Sequence, residues 1–153
     1  MIKSTLGNLG LFTILGIPLE LMYLTSPVHE FGHVLMGWIL GHQTTMHFRS
    51  TTYYPTRMRP DELIAFMYAG VGFEIVFFSL LALSVASKKV WLAGLSLGVV
   101  ISAYVTAMSL SDIRTIKYVG IEAFYAIAGI FIFTIIVPTM YCVKHTGLSE
   151  EVV

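Results

Sequence analysis

Four long apolar stretches constrain this chain more than any other feature. They run from Leu6 to Gly41, Leu63 to Ala86, Val90 to Leu110 and Tyr118 to Cys142. Each is long enough to cross a hydrocarbon core of about 30 Å, which takes about 20 helical residues. The first contains only Glu20 and Glu30 as acidic charges, the second only Glu74, the third none and the fourth only Glu122. Lipid offers no partner to an unpaired backbone amide, so such runs must be helical. Only 12% of the residues are charged and 56% are hydrophobic, against roughly 25% charged in an ordinary soluble domain. This excludes a disordered chain and argues against a water-soluble globule. The expectation is an all-α integral membrane protein, a bundle of four to five transmembrane helices forming one domain over residues 1–153.

The first run is far longer than one perpendicular crossing requires. Ser26-Pro27 reads as an N-cap followed by a first-turn proline. This predicts a break there, with one helix from Leu6 to Leu24, a second from Ser26 to Gly41, and a kink at Pro18. A re-entrant hairpin, two crossings or one bent helix all satisfy the pattern. With two crossings, Lys3, Arg49, Arg57, Arg59, Arg114 and Lys117 share one side, leaving Lys88, Lys89 and Lys144 opposite. That division follows the positive-inside tendency and places the N-terminus and the 42–60 loop in the cytoplasm of a multi-pass cell-membrane protein. Met1-Ile2-Lys3 before an apolar run resembles a signal peptide, but the run is too long and no cleavage site is clear, so it is read as retained. Nine Lys plus Arg balance nine Asp plus Glu, which leaves no polybasic surface for nucleic acid. The single cysteine, Cys142, cannot form an internal disulfide.

The main polar segment, His42 to Glu62, is rich in β-branched and aromatic residues from Thr44 to Tyr54 and stops at Pro55. It predicts a short β-hairpin-like loop near residues 43–55. Gly37…Gly41 and Gly94…Gly98 are GxxxG patterns, read as close-packing surfaces.

His29-Glu30-Phe31-Gly32-His33 is an HExxH motif. On a helix its two histidines lie on one face and can reach one zinc ion, and the adjoining glutamate can take a proton from the attacking water. This composition yields roughly 0.007 chance matches, so accident is a poor explanation. Two histidines and a glutamate in an apolar run are costly unless they face a cavity, a metal or each other. A hydrogen-bonded cluster or a proton path would also satisfy them.

A catalytic zinc usually takes three protein ligands. Candidates for the third are Glu20, Glu74, Asp112 and Glu122, with His42 and His47 nearby in the loop. Asp112 ends the third apolar run, whereas Asp61 lies in polar sequence and reads as a helix N-terminal residue. Asp112 could instead pair with Arg114 or Lys117. Glu74 could accept from a ligand imidazole or close the site as a fourth ligand. His42, His47 and loop amides are candidate donors to an oxyanion. A strand edge in the loop could hold an unwound substrate segment. Glu20 and Glu122 read as interior-facing, hydrogen-bonded acids.

HExxH on a transmembrane helix, a polar strand-like loop, a small-residue helix and an aspartate after the next span together resemble the site-2 protease family of intramembrane zinc metalloproteases. His29 and His33 match that family's histidine ligands and Glu30 its catalytic glutamate. Ala69 and Gly70 match its Ala-Gly-Pro-x-x-Asn segment, and Asp112 its aspartate ligand. Val71 stands where the family has proline, Glu74 where it has asparagine, and Ile113 where glycine follows the aspartate. The resemblance implies Zn2+ bound by His29, His33 and Asp112, Glu30 as general base, and a transmembrane protein in the lipid bilayer as substrate. A homo-oligomer or a larger membrane complex is compatible with it. The alternatives are a non-proteolytic membrane subunit or scaffold retaining this fold, with or without a structural metal, and a small ion or proton transporter.

Overall fold

The computed structural model describes residues 2–52, 58–111 and 121–148. The first apolar run forms two helices, α1 (Ile2–Leu21) and α2 (Ser26–Ile39), bent by 61° where they meet. The bend falls at the break after Leu21, and Pro18 lies inside α1. Tyr23 adopts φ 58°, and around it Leu24 N–H donates to Leu19 O (3.0 Å) and Tyr23 N–H to Glu20 O (2.8 Å). These two bonds are a Schellman closure, in which a left-handed residue turns the chain and satisfies the last carbonyls.

Ser26 is not the N-cap expected from the sequence. Thr25 occupies that position, and Ser26 and Pro27 lie in the first turn with no side-chain cap. The Thr25 carbonyl closes the turn by accepting from Val28 N–H (2.9 Å) and His29 N–H (3.3 Å). A second Schellman closure ends α2. Gly41 takes the left-handed position with φ 77°, His42 N–H donates to Gly37 O (2.8 Å) and Gly41 N–H to Trp38 O (3.1 Å).

The polar segment folds back as an antiparallel ribbon, β1 (Thr45–Met46) and β2 (Thr51–Thr52), with Thr45 opposite Thr52 and Met46 opposite Thr51. The predicted hairpin is present; its continuation through Tyr53, Tyr54 and Pro55 lies outside the described residues. Helix α3 (Pro60–Val85) opens with Pro60 and with Asp61 and Glu62 in its first turn, where carboxylates meet the positive end of the helix dipole. Glu62 accepts from Arg59 N–H (2.9 Å) and Arg59 Nε–H (3.1 Å). Helices α4 (Val90–Ser111) and α5 (Ile121–Leu148) complete the described chain.

Packing places the helices in the spatial order α1, α4, α3, α2, with α5 against α3 and α4. The consecutive helices α1 and α2 therefore sit at opposite ends of the row. The interior is built of small residues. Ala82, Ala86, Ala93 and Cys142 are buried with Leu9 and Leu97 in one cluster, and Val71, Ile75, Val100, Ala103 and Ala107 form another. At the α1–α4 crossing a Cβ added to Gly98 would stand 2.7 Å from Gly16 Cα, so only glycine permits this approach. Gly94 faces α1 in the same way. Gly37 instead receives the Thr44 side chain, and a Cβ at Gly41 would meet nothing within 4 Å. The first GxxxG pattern is thus a loop seat and not a helix contact.

Large apolar side chains point outward. Ile14, Phe133 and Met140 are 66%, 68% and 68% exposed, while Glu30 and Glu74 are buried. Among the described residues, two helical stretches are long and apolar enough to cross a membrane, Pro60–Val85 and Val90–Ala107. The bent α1–α2 pair makes a third if it counts as one span, and the apolar part of α5, Ile132–His145, is shorter.

Candidate active site

Both motif histidines lie on the face of α2 that meets α3. The i, i+4 spacing puts one ring above the other, and their Nε2 atoms stand 3.1 Å apart. Each ring is held from behind by α3. His33 Nδ1 lies 2.7 Å from Phe66 O. A carbonyl oxygen only accepts, so Nδ1 carries the hydrogen. His29 Nδ1 lies 3.2 Å from Glu74 Oε2, and with Glu74 as a carboxylate this nitrogen is also the donor. Both neutral rings then present Nε2 lone pairs to one point. Two lone pairs facing each other at that distance need a proton or a cation between them.

Room for this arrangement comes from Gly70. A Cβ there would stand 2.6 Å from His29 Nε2 and would also collide with His33 Nε2. The glycine of the Ala-Gly segment is therefore the floor under the imidazoles. Glu74 is almost fully buried, and its Oε1 has no hydrogen-bond partner among the described residues. Its observed contact is with the far side of His29, away from Nε2.

Glu30, on the neighbouring face of α2, is 8% exposed. Its Oε2 accepts from Thr51 Oγ1–H at 2.7 Å. Comparison with protein-family models, curated proteins and solved structures returned no match. The chemistry of the site therefore rests on its own geometry.

The remaining candidates separate. Asp112 lies outside the described residues. His42 Nε2 is 3.3 Å from Glu62 Oε2 at the base of the ribbon, and His47 Nε2 is 3.0 Å from Thr52 Oγ1 on its exposed end. Glu20 accepts from Ser102 Oγ–H (3.0 Å) and Thr106 Oγ1–H (3.3 Å) of α4, as expected of an interior acid. Among the described residues, no group of three His, Cys, Asp or Glu side chains is gathered closely enough to hold a metal. Thr51 and the Phe66 carbonyl are not legible in the sequence. Nothing distinguishes Thr51 from its neighbours Thr44, Thr45 and Thr52, and a main-chain oxygen carries no residue signature.

Proposed function

We propose that this chain is an integral membrane zinc metalloprotease of the site-2 protease kind, hydrolysing peptide bonds in or near transmembrane segments of other proteins. The observation that carries the reading is the pair of imidazoles with Nδ1 engaged and Nε2 atoms converging at 3.1 Å. Two ligands of a tetrahedral zinc with bonds of about 2.0–2.1 Å are separated by about 3.3 Å, so the spacing of these two nitrogens suits two of that ion's ligands. His29 and His33 would hold it, with Asp112 as the third ligand. A zinc ion bound there would supply Lewis acidity toward a water and toward the scissile carbonyl.

The chain's own groups provide the rest. Phe66 O and Glu74 orient the two rings and fix their tautomers. Glu30 takes a proton from the attacking water on its carboxylate and delivers it to the leaving amine. The outward-facing apolar side chains and the buried Glu30 and Glu74 support a bilayer setting.

Metal content of detergent-purified protein, together with cleavage of a protein substrate, tests the reading. Wild type should hold about one zinc per chain and His33→Ala almost none. Asp112→Ala should also lose it. Glu30→Gln should keep the metal and lose cleavage. Zinc retained in Asp112→Ala would reassign the third ligand. A folded wild type that binds no zinc when the metal is supplied would overturn the protease and leave a scaffold with a polar cluster.

A further inference from the structure

The β1–β2 ribbon is fastened to α2 at three positions along one stripe. Thr51 Oγ1 reaches Glu30, both at Oε2 (2.7 Å) and at the main-chain oxygen (3.3 Å). Thr44 Oγ1 donates to Val34 O at 3.5 Å, and the Thr44 methyl fills the space that a side chain at Gly37 would need. Glu30, Val34 and Gly37 are all buried and stand at i, i+4 and i+7, one face of a helix. His29 and His33 occupy the adjoining face toward α3. The ribbon and α3 thus grip α2 from two sides, one at the glutamate and the other at the histidines.

A hydroxyl has one hydrogen to give. The shorter distance and the charged acceptor assign it to the Glu30 carboxylate. A free carboxylate rotates readily about its terminal bond, because that torsion has no sharp staggered wells. A donor fixed on a separate element removes this freedom.

We propose that Thr51 is a positioning residue for the general base. Its hydroxyl holds Glu30 through Oε2 and leaves Oε1 to receive the proton. Thr51 keeps its own hydrogen throughout, so the transfer runs from water oxygen to Oε1 alone. The proposal rests on Glu30 acting as the base, as set out under "Proposed function".

The experiment uses the zinc-loaded full chain in detergent with fluorescently labelled β-casein, an extended chain that needs no unwinding. Thr51→Val removes the hydroxyl at nearly constant volume and should lower kcat about tenfold with KM unchanged, equivalent to about 1.4 kcal/mol. Thr51→Ser restores the donor and should return kcat to within about twofold of wild type. Thr44→Ala loosens the ribbon without touching Glu30 and should lower kcat less than Thr51→Val does.

Infrared spectroscopy gives a readout independent of turnover. The carboxylate stretch lost in Glu30→Gln identifies the Glu30 band, which should shift in Thr51→Val and return in Thr51→Ser. Casein hydrolysis with an unshifted band, with wild-type kcat in Thr51→Val, or with Thr51→Ser no better than Thr51→Val overturns this proposal alone. A Thr44→Ala defect as deep as that of Thr51→Val overturns it too, because ribbon attachment then suffices. Hydrolysis by Glu30→Gln at the wild-type rate, or none by wild type, overturns the protease reading and this proposal with it.

Discussion

Glu74 sits at the back of the site with one oxygen on His29 and the other unpartnered among the described residues. Leaving a buried carboxylate oxygen without a donor costs about 1–3 kcal/mol or more. A carboxylate that accepts from Nδ1–H makes Nε2 a stronger donor to a cation. Glu74→Gln should therefore fold and still weaken zinc binding by about 10- to 100-fold, measured by competition with a chelator of known affinity. Gly70→Ala should act through space instead of charge. Its methyl would overlap both Nε2 atoms, so zinc content should fall to background while circular dichroism keeps its helical signal. The HExxH spacing makes the paired imidazoles and the adjoining glutamate legible from sequence, because the period of a helix turns i and i+4 into neighbours. The anchors behind the rings are less legible. Glu74 stands out as an acid in an apolar run, but its orientation depends on how α3 docks, and Phe66 holds His33 Nδ1 through a main-chain oxygen, a group that every residue possesses.

At the scale of elements, the apolar runs predict α3 and α4 closely, and also the division of the first run into two helices. The turn between those two helices is built differently from its sequence pattern. Ser26-Pro27 has the composition of a helix start, yet the chain turns earlier, through Tyr23 in the left-handed region, a conformation that favours glycine. A tyrosine there gives no warning in the sequence. The strain is measurable. Tyr23→Gly and Tyr23→Val both remove the ring, but valine resists positive φ, so the glycine variant should be more stable by about 1–2 kcal/mol in detergent unfolding. The α1–α4 crossing offers a second contrast. Gly98→Ala drives a methyl into Gly16 and the Thr13 carbonyl and should cost about 1–3 kcal/mol. Gly10→Ala, with nothing within 4 Å, should be neutral or stabilise by up to about 1 kcal/mol. Thermal unfolding of the two variants, compared with wild type, checks both values.

At the scale of the whole molecule, composition predicts an apolar exterior but not which helix neighbours which. Hydropathy is a property of one segment, whereas the order α1, α4, α3, α2 depends on matching small residues across pairs. The glycines of α1 and α4 and the alanines of α3 and α4 carry that information only jointly. Cys142 reports on the assembled state. It is buried where α5 meets α3, with Sγ 3.7 Å from Ala82 O. A maleimide should leave the folded protein unmodified in mild detergent and label one thiol per chain after denaturation, followed by intact mass.

The end position of α2 in the row has a geometric consequence. Among the described elements, only α3 and the small ribbon pack extensively against the helix that bears the motif. A site enclosed by helices on all sides must spread a neighbouring pair to admit a guest as wide as a helix. On the proposed reading, a substrate arriving at that edge meets, among the described residues, a pair of two-residue strands held by the hydroxyls of Thr44 and Thr51 and not a second helix. Arrival from the side would then disturb a few hydrogen bonds instead of the packed interior, and the architecture that positions the imidazoles could stay rigid while the visitor changes.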